Sequence, residues 1–448
     1  MNKITATVGL VALGAASIQA QNLAPAAGSQ EATKPWSISA TLRGFYDDNY
    51  LTAPSHAERD SLGFEISPSA SLNLIRDQTA LGLNYVYSGR WYEDRDSNDE
   101  DAWDHAHMLN GKLSHAFTPR FKIDLSDSFV IAQEPELLVG ENGVLTDSGL
   151  RSEGDNMRNH ALVSFSAGIT ENLTAVLGYG NQWYDYEEDG FVNSRSATLD
   201  RMEHLASLNL RAVVLPKTVV VGGYQYEVVD YDSDDALGHP FFPAFQYDAQ
   251  ERNTTSHYLY AGVDQGISPT LNASLRAGAQ YTEYTDLDYA QEIARFSGTE
   301  LEEDNWSPYV DGNLTWLYQP GSYAQLGVRH QRAQTDISFV PAADGIGLLP
   351  NMDAQSTAIY GSVSHRLWGA LIGSAIASFQ HNQYDIQGQD NPSENFFMAG
   401  LNLTYELNRF VALEAGYNFD WLDSEVYEDD DNRSYKRNRV YVGVRGTY

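Results

Sequence analysis

The sequence predicts an all-β fold, a closed antiparallel transmembrane β-barrel of about 18 strands, with 16 as the alternative count. Three observations carry this. Apolar and polar residues alternate with a period of two along most of the chain, the repeat of a strand whose two faces meet different surroundings. The connections between these stretches alternate short and long. A secretion-type leader stands at the start, and no later stretch reaches the ~18 apolar residues of a membrane-spanning helix. A backbone crossing lipid must satisfy its polar groups internally, so exported strands that span a membrane do so as a closed barrel.

In the leader, residues 1–20, Lys3 gives a positive start, Ile4 to Ile18 is apolar and small, and Ala20 fits a small-residue cleavage site. Residues 21–35, with Pro25 and Pro35, form an expected periplasmic lead-in. The barrel is expected over residues 36–448. Its first strand opens at Trp36, with Ile38, Ala40 and Leu42 on one face and Ser37, Ser39, Thr41 and Arg43 on the other.

Short, turn-like connections fall at Ile75–Asp77, Thr118–Pro119, Gly168–Asn172, Leu215–Lys217, Gly266–Thr270, Gln319–Gly321, Trp368–Gly369 and Leu407–Arg409. Long ones, mostly acidic, fall at Asp47–Asp60, Glu93–Asp101, Gln133–Asn156, Glu187–Thr198, Asp230–Glu251, Asp286–Asp304, Asp336–Asp353, Gln387–Asn395 and Asp423–Ser434. Eight short turns and nine long loops join eighteen strands and set both termini on the short-turn side, the periplasmic side of such barrels.

The clearest strands show both faces. Leu208, Leu210, Ala212 and Val214 oppose Ser207, Asn209 and Arg211. Leu271, Leu275 and Ala279 oppose Asn272, Arg276 and Gln280. Leu413, Tyr417 and Phe419 oppose Glu414, Asn418 and Asp420. An amphipathic helix would space its apolar residues three and four apart. Alternation is blurred at Thr357–Ser364 and Leu371–Ala377. Tryptophan gives an independent check: Trp36, Trp316 and Trp368 stand at short-turn ends, and Trp91, Trp103, Trp183, Trp306 and Trp421 at long-loop ends, as two interfacial aromatic belts require.

Composition excludes several classes. With no cysteine there is no disulfide scaffold, thiol catalysis or Cys-ligated zinc. A net charge of −33 argues against nucleic acid as a partner. Twenty-eight tyrosines and 36 glycines suit a barrel with a polar inner face. No cofactor is expected, since there is neither a phosphate loop nor a nucleotide fingerprint.

With signal peptide, alternating strands, acidic loops and an aromatic end on the page, the chain resembles the putative β-barrel porin families of Gram-negative bacteria. The resemblance spans nearly all of the chain after its leader as a pattern, without a short diagnostic motif. It implies outer-membrane localisation, contact with lipid and lipopolysaccharide, and a channel for passive diffusion of small hydrophilic solutes or ions. The last strand, Tyr435 to Tyr448, ends on an aromatic residue and resembles the assembly signal of this class, which implies the barrel-assembly machinery as a partner. A homotrimer is the assembly many porins adopt, but no residue in the sequence marks an interface. The competing readings are a plugged barrel acting as a surface binding, adhesion or structural protein, and a polysaccharide-export barrel.

Candidate pore-lining residues follow from the polar face. The basic ones are Arg43, Arg90, Lys112, Lys122, Arg211, Arg276, Arg329, Arg437, Arg439 and Arg445, and the acidic ones Asp124, Glu227, Asp264, Asp311, Glu414 and Asp420. Closure brings the last strand beside the first, gathering Arg43, Arg437, Arg439 and Arg445 with Arg90, Lys112 and Lys122, while most acids lie across the barrel. This arrangement either makes a transverse field that selects permeants or is mutual pairing that fills a polar interior. The acidic rim favours cations slightly, and the inward arginines pull the other way.

The loop from Gln133 to Asn156 carries Leu137, Leu138, Val139, Val144 and Leu145. The porin resemblance implies an inward constriction there, and packing against outer loops is the alternative. Two further loops carry Phe241, Phe242, Phe245, Phe339, Val340, Ile346, Leu348 and Leu349, which either pack on one another or bind a ligand. Asp230, Asp232, Asp234 and Asp235 lack the glycine and final glutamate of a calcium loop and suit a solvated rim, so no metal site is expected. His204, His257, His330, His365 and His381 have no catalytic partner assignable from sequence, and no enzyme activity is expected.

Overall fold

The computed structural model describes residues 35–448 except 99, 134–153, 240, 297, 342–347, 385–390 and 429–430. The leader and lead-in lie outside the described residues. Eighteen strands form one sheet. They are β1 Trp36–Asp47, β2 Ser61–Ile75, β3 Thr79–Tyr92, β4 Trp103–Ala116, β5 Phe121–Ala132, β6 Asn156–Gly168, β7 Leu173–Tyr186, β8 Arg201–Leu215, β9 Thr218–Tyr231, β10 Thr254–Gly266, β11 Leu271–Tyr284, β12 Asp304–Gln319, β13 Ser322–Ala333, β14 Ala354–Trp368, β15 Leu371–Gln383, β16 Ser393–Asn408, β17 Val411–Ser424 and β18 Tyr435–Thr447. Each pairs antiparallel with its sequence neighbours, and β18 pairs with β1 from Ser39↔Thr447 to Asp47↔Arg439, which closes the barrel.

Period-two alternation sets the faces. On β1 the residues Trp36, Ile38, Leu42 and Tyr46 are exposed, whereas Thr41, Phe45 and Asp47 are buried. On β8 Leu208 and Leu210 are exposed and Ser207, Asn209 and Arg211 buried. Outward positions are therefore apolar and inward positions polar, the arrangement of a sheet with lipid outside and a polar interior. The tryptophans fall on the outward face at the strand ends the sequence placed them at, and Trp36, Trp306, Trp316 and Trp368 are all exposed. The blurred stretches are strands β14 and β15. An apolar cluster of Phe396, Met398, Leu422 and Tyr435 is joined by inward Tyr360 and Ile376, which interrupts the polar inward face there.

The short turns are tight. Pro320 and Gly321 join β12 to β13, with Gln319 paired to Ser322 and Gly321 at φ 74°. Proline ahead of a positive-φ glycine is the sequence of a type II turn. At the other end the long loops build a roof with its own apolar cores. Ala197, Tyr231, Leu237, Tyr247, Ala249, Ala290, Ile293 and Met352 form one cluster, with Phe245 and Phe339 packed against it. Ile337, Val340, Leu349, Tyr384 and Val426 form a second. The aromatic loops thus pack on each other, although Phe241 and Phe242 remain exposed.

The loop after β13 reaches across this roof. Pro308 has no amide to offer, and the β12–β13 ladder stops at Val310↔His330. Beyond that point the Gln280 side chain takes the place of a strand partner: its Oε1 accepts from the Arg332 amide at 2.8 Å. The loop is then held by Tyr231 Oη donating to Gln334 Oε1 at 2.9 Å, by Arg252 Nη2 donating to the Thr335 carbonyl at 2.7 Å, and by Arg433 Nη2 donating to Asp336 Oδ2 at 2.7 Å.

Between β7 and β8 a short helix, Arg195–Leu199, is capped by Ser194 Oγ and ends on buried Asp200. Asp200 accepts from the Tyr186 amide at 2.7 Å and from Ser196 Oγ at 2.5 Å. Burial outweighs these hydrogen bonds and pushes its carboxyl up to about 6. A raised acid pKa means that the folded loop holds its proton more tightly than the unfolded one, so stability falls as pH rises from about 4 to about 6. Hydrogen exchange of residues 187–200 should therefore be slower at pH 4.5 than at pH 7 once corrected for intrinsic rates. Asp200→Asn should abolish the difference, and an unchanged difference in that variant would remove Asp200 as its source.

Candidate functional site

The inner wall is the candidate site, because period two sends every second side chain of eighteen strands toward one enclosed space. Charge there is organised in local pairs. At the seam, Asp47 is fully buried and accepts from Arg437 Nη2 at 2.8 Å and Arg439 Nε at 2.7 Å. Glu414 accepts from Arg43 Nη2 at 2.7 Å and lies 3.3 Å from Arg445 Nε. Glu65 lies 3.5 Å from Arg43 and 3.8 Å from Arg90. Across the barrel Asp264 binds Arg211 at 2.6 Å and Arg276 at 2.5 Å, and Asp311 lies 3.4 Å from Arg329.

Closure does gather Arg43, Arg437, Arg439 and Arg445 at the seam. The separation of basic and acidic sectors does not follow, because Asp47, Glu65 and Glu414 sit among those arginines. The physical reason is desolvation: an arginine away from bulk water needs a carboxylate beside it. Sequence reasoning missed Asp47 and Glu65. Asp47 opens an acidic stretch that reads as a loop, yet it continues the inward parity of Arg43 and Phe45. Glu65 alternates with outward Phe64 and Ile66.

The other candidates also sit on the inward parity. Glu227 accepts from Tyr258 Oη at 2.6 Å beside the buried ring cluster of Tyr258, Tyr260 and Tyr309. Asp420 is buried opposite Arg437 in the ladder. Lys122 and Asp124 pair at 2.7 Å, and each side chain stays about one third exposed, 33% and 37%. Lys112 and Arg90 are half-buried.

Exposure divides this wall into two sectors. From β8 to β13 the inward residues Asn209, Arg211, Gln225, Arg276, Gln280, Asp311 and Arg329 are all buried. From β2 to β6 the inward residues are mainly small or long and flexible, among them Ser67, Ser69, Asn84, Ser88, Asn110, Lys112, Ser114, Lys122 and Ser126, and these are half-buried. Inward Ser362, Ser374, Asn402 and Asn418 on β14–β17 are half-buried too, so the β8–β13 side is the closely packed part of the wall and β2–β6 is one of its more open parts. The residues expected to form a constriction, Leu137, Leu138, Val139, Val144 and Leu145, lie outside the described residues.

The five weighed histidines are on the outward face. His204 hydrogen-bonds Tyr179, His257 bonds Tyr224, His330 bonds Thr357, His365 bonds Tyr318 and His381 bonds Asn395. The acidic run after β9 braces a neighbouring loop, with Asp235 Oδ2 accepting from the Gly190 amide and Ser194 Oγ, both at 2.7 Å.

The two kinds of pair should differ in energy. Asp47→Ala leaves two arginines facing each other away from bulk water and should cost about 3–5 kcal/mol, as breaking a buried ion pair does. Asp124→Ala, at a half-exposed pair, should cost less than about 1 kcal/mol. Urea unfolding in lipid vesicles measures both, and equal costs would contradict the assignment of Asp47 as the seam clamp.

Among proteins of known structure, the chain is similar to outer-membrane protein OpdK of Pseudomonas aeruginosa at 11% identity, covering 92% of this chain and 99% of that one, with a TM-score of 0.43. OccK2 (OpdF) of the same organism, solved in complex with glucuronate, gives 10% identity, coverage of 92% and 98%, and a TM-score of 0.44. OccAB3 of Acinetobacter baumannii gives 11%, 92%, 99% and 0.42. No curated protein sequence matches the chain. The protein is a porin-like eighteen-stranded barrel, and its residues 243–448, from the loop before β10 to the last residue, match the family described as "Putative beta-barrel porin 2".

Proposed function

We propose that the chain is a channel in the outer membrane of a Gram-negative bacterium, exported by residues 1–20, through which small hydrophilic solutes or ions diffuse passively. The observation that carries this reading is the half-buried polar sector of β2–β6 inside a barrel whose outward face is apolar. Permeants would move along serine and asparagine side chains past Lys112, Lys122 and Arg90. Selection would come from the width of the gap and from the charge on this sector. The seam and β8–β13 carry paired charge, which stiffens the wall and contributes little net field. The family match over residues 243–448 supports the channel class without naming a solute.

One observation favours a second reading, a plugged barrel that binds a surface ligand. The long loops share apolar cores across the roof, and Phe241 and Phe242 stand exposed on it.

Refolded protein in planar bilayers should show steady conductance steps. Lys112→Glu with Lys122→Glu should raise the cation-to-anion permeability ratio on the order of twofold or more, measured as a shifted reversal potential under a salt gradient. Lys436→Glu, on the outward face, should leave it unchanged. Silence from folded protein would favour the plugged barrel, and a double variant with wild-type selectivity would remove the β2–β6 sector as the path.

A further inference from the structure

The outward face breaks its own rule in one place. Asp127 stands in the middle of β5, six residues past its first residue, Phe121, and is exposed on the parity of Leu125 and Phe129. Its ladder row runs Gly111–Asp127–Ala161–Asn181–His204 across β4 to β8. Asn159 Nδ2 donates to Asp127 Oδ1 at 3.1 Å, and Asn181 Nδ2 donates to the Glu203 carbonyl at 3.3 Å and lies 3.3 Å from His204 Nδ1, which also meets Tyr179 Oη at 2.8 Å, so these contacts occupy Nδ1 of the His204 ring. The outward positions of β4–β8 carry no lysine or arginine. The other carboxylates on outward parity among the described strand residues, Asp185, Asp230, Glu283, Asp304 and Asp423, stand at or next to the long-loop ends.

A carboxylate at mid-span facing hydrocarbon is costly, and such groups face protein or water instead. Two small residues flank this one in its row, which lets another backbone come close. Acceptor and donor are also set apart, with Asp127 on one flank and the His204 ring, braced by Asn181, on the other. Rotation about an axis parallel to the barrel sets the β5 flank of one copy against the β7–β8 flank of the next, so the patch complements itself. We infer that the outward face of β4–β8 is an interface between copies of this chain within the membrane, with Asp127 accepting a hydrogen bond from the His204 ring of the adjoining copy. Dimer and trimer satisfy this geometry alike. The inference rests on the membrane embedding proposed above.

The chain has no cysteine, so single cysteines report cleanly. Full-length protein is expressed with Ala161→Cys or, as a control on β16, with Ala399→Cys, and oxidised in intact outer membranes. The expected result is a cross-linked species at a multiple of the chain mass for Ala161→Cys, at least tenfold above Ala399→Cys. Adding Asp127→Leu should lower that yield several-fold while the barrel stays folded, as judged by its heat-modifiable migration on gels. Three results would overturn the interface in a protein that is membrane-embedded and folded. They are no cross-link, a cross-link of foreign mass, or a yield indifferent to Asp127→Leu. Absence of the protein from the membrane fraction would instead overturn the membrane reading on which this one stands.

Discussion

Closure of the sheet between its first and last strands is the constraint on which the rest depends. An open edge in lipid would leave a row of amides and carbonyls without partners, and each would cost several kcal/mol. The chain meets this with a seam fastened at both ends. At the short-turn end the last residue turns back onto β1, with the Tyr448 amide donating to the Ile38 carbonyl at 2.8 Å and the Tyr448 ring 5.9 Å from that of Trp36. At the long-loop end Asp47 of β1 clamps Arg437 and Arg439 of β18. Residues about 390 positions apart in sequence thus fix the register of the whole barrel. A one-residue slip there would exchange the lipid and interior faces of a strand.

How much of this was legible follows from which forces leave a local trace. Strand number, turn positions and both tryptophan belts were readable, because lipid on one side and a polar interior on the other impose a period of two that any window reveals. The inner wall was readable as a set of residues but not as a set of partners. Arg437 and Asp47 meet only when the barrel closes, and no spacing in sequence announces it. Asp47 was legible in principle, since it extends the parity of Arg43, but an acidic residue before an acidic loop reads as loop. The strands β14 and β15 blurred for the opposite reason: Tyr360 and Ile376 face an interior that is locally apolar. The roof was beyond reach because the hydrogen bonds of Gln334, Thr335 and Asp336 join loops from distant parts of the chain.

For the channel proposed above, two parts of the inner wall would combine rigidity with a path. Arg276 and Arg211 converge on Asp264, Asn209 and Gln225 bond Tyr260, and Gln280 bonds the Arg332 amide, all of them but Asp264 buried, so the β8–β13 side behaves as a polar core. The β2–β6 side uses serine and asparagine, which pair with near neighbours along the wall, as Ser67 Oγ does with Glu65 and Ser71 Oγ with Asn84, and are too short to reach across the interior. A diffusion path needs that combination, because a wall of fully paired long side chains would close the space that they line.

The outward face follows the converse logic. Several of its histidines are tied to neighbouring tyrosines through one ring nitrogen, as His204 Nδ1 is to Tyr179 and His257 Nδ1 to Tyr224, which fixes the ring against the sheet. Asp127 has no such escape. A carboxylate offers about four lone-pair sites, and a single amide from Asn159 satisfies one of them. Lipid supplies no donor at that depth, and a channel with an accessible polar sector has no need of charge on its outer surface. The remaining donors must come from protein. The row that holds Asp127 already contains a suitable one, the His204 ring braced by Asn181, on the flank that a second copy would present to it.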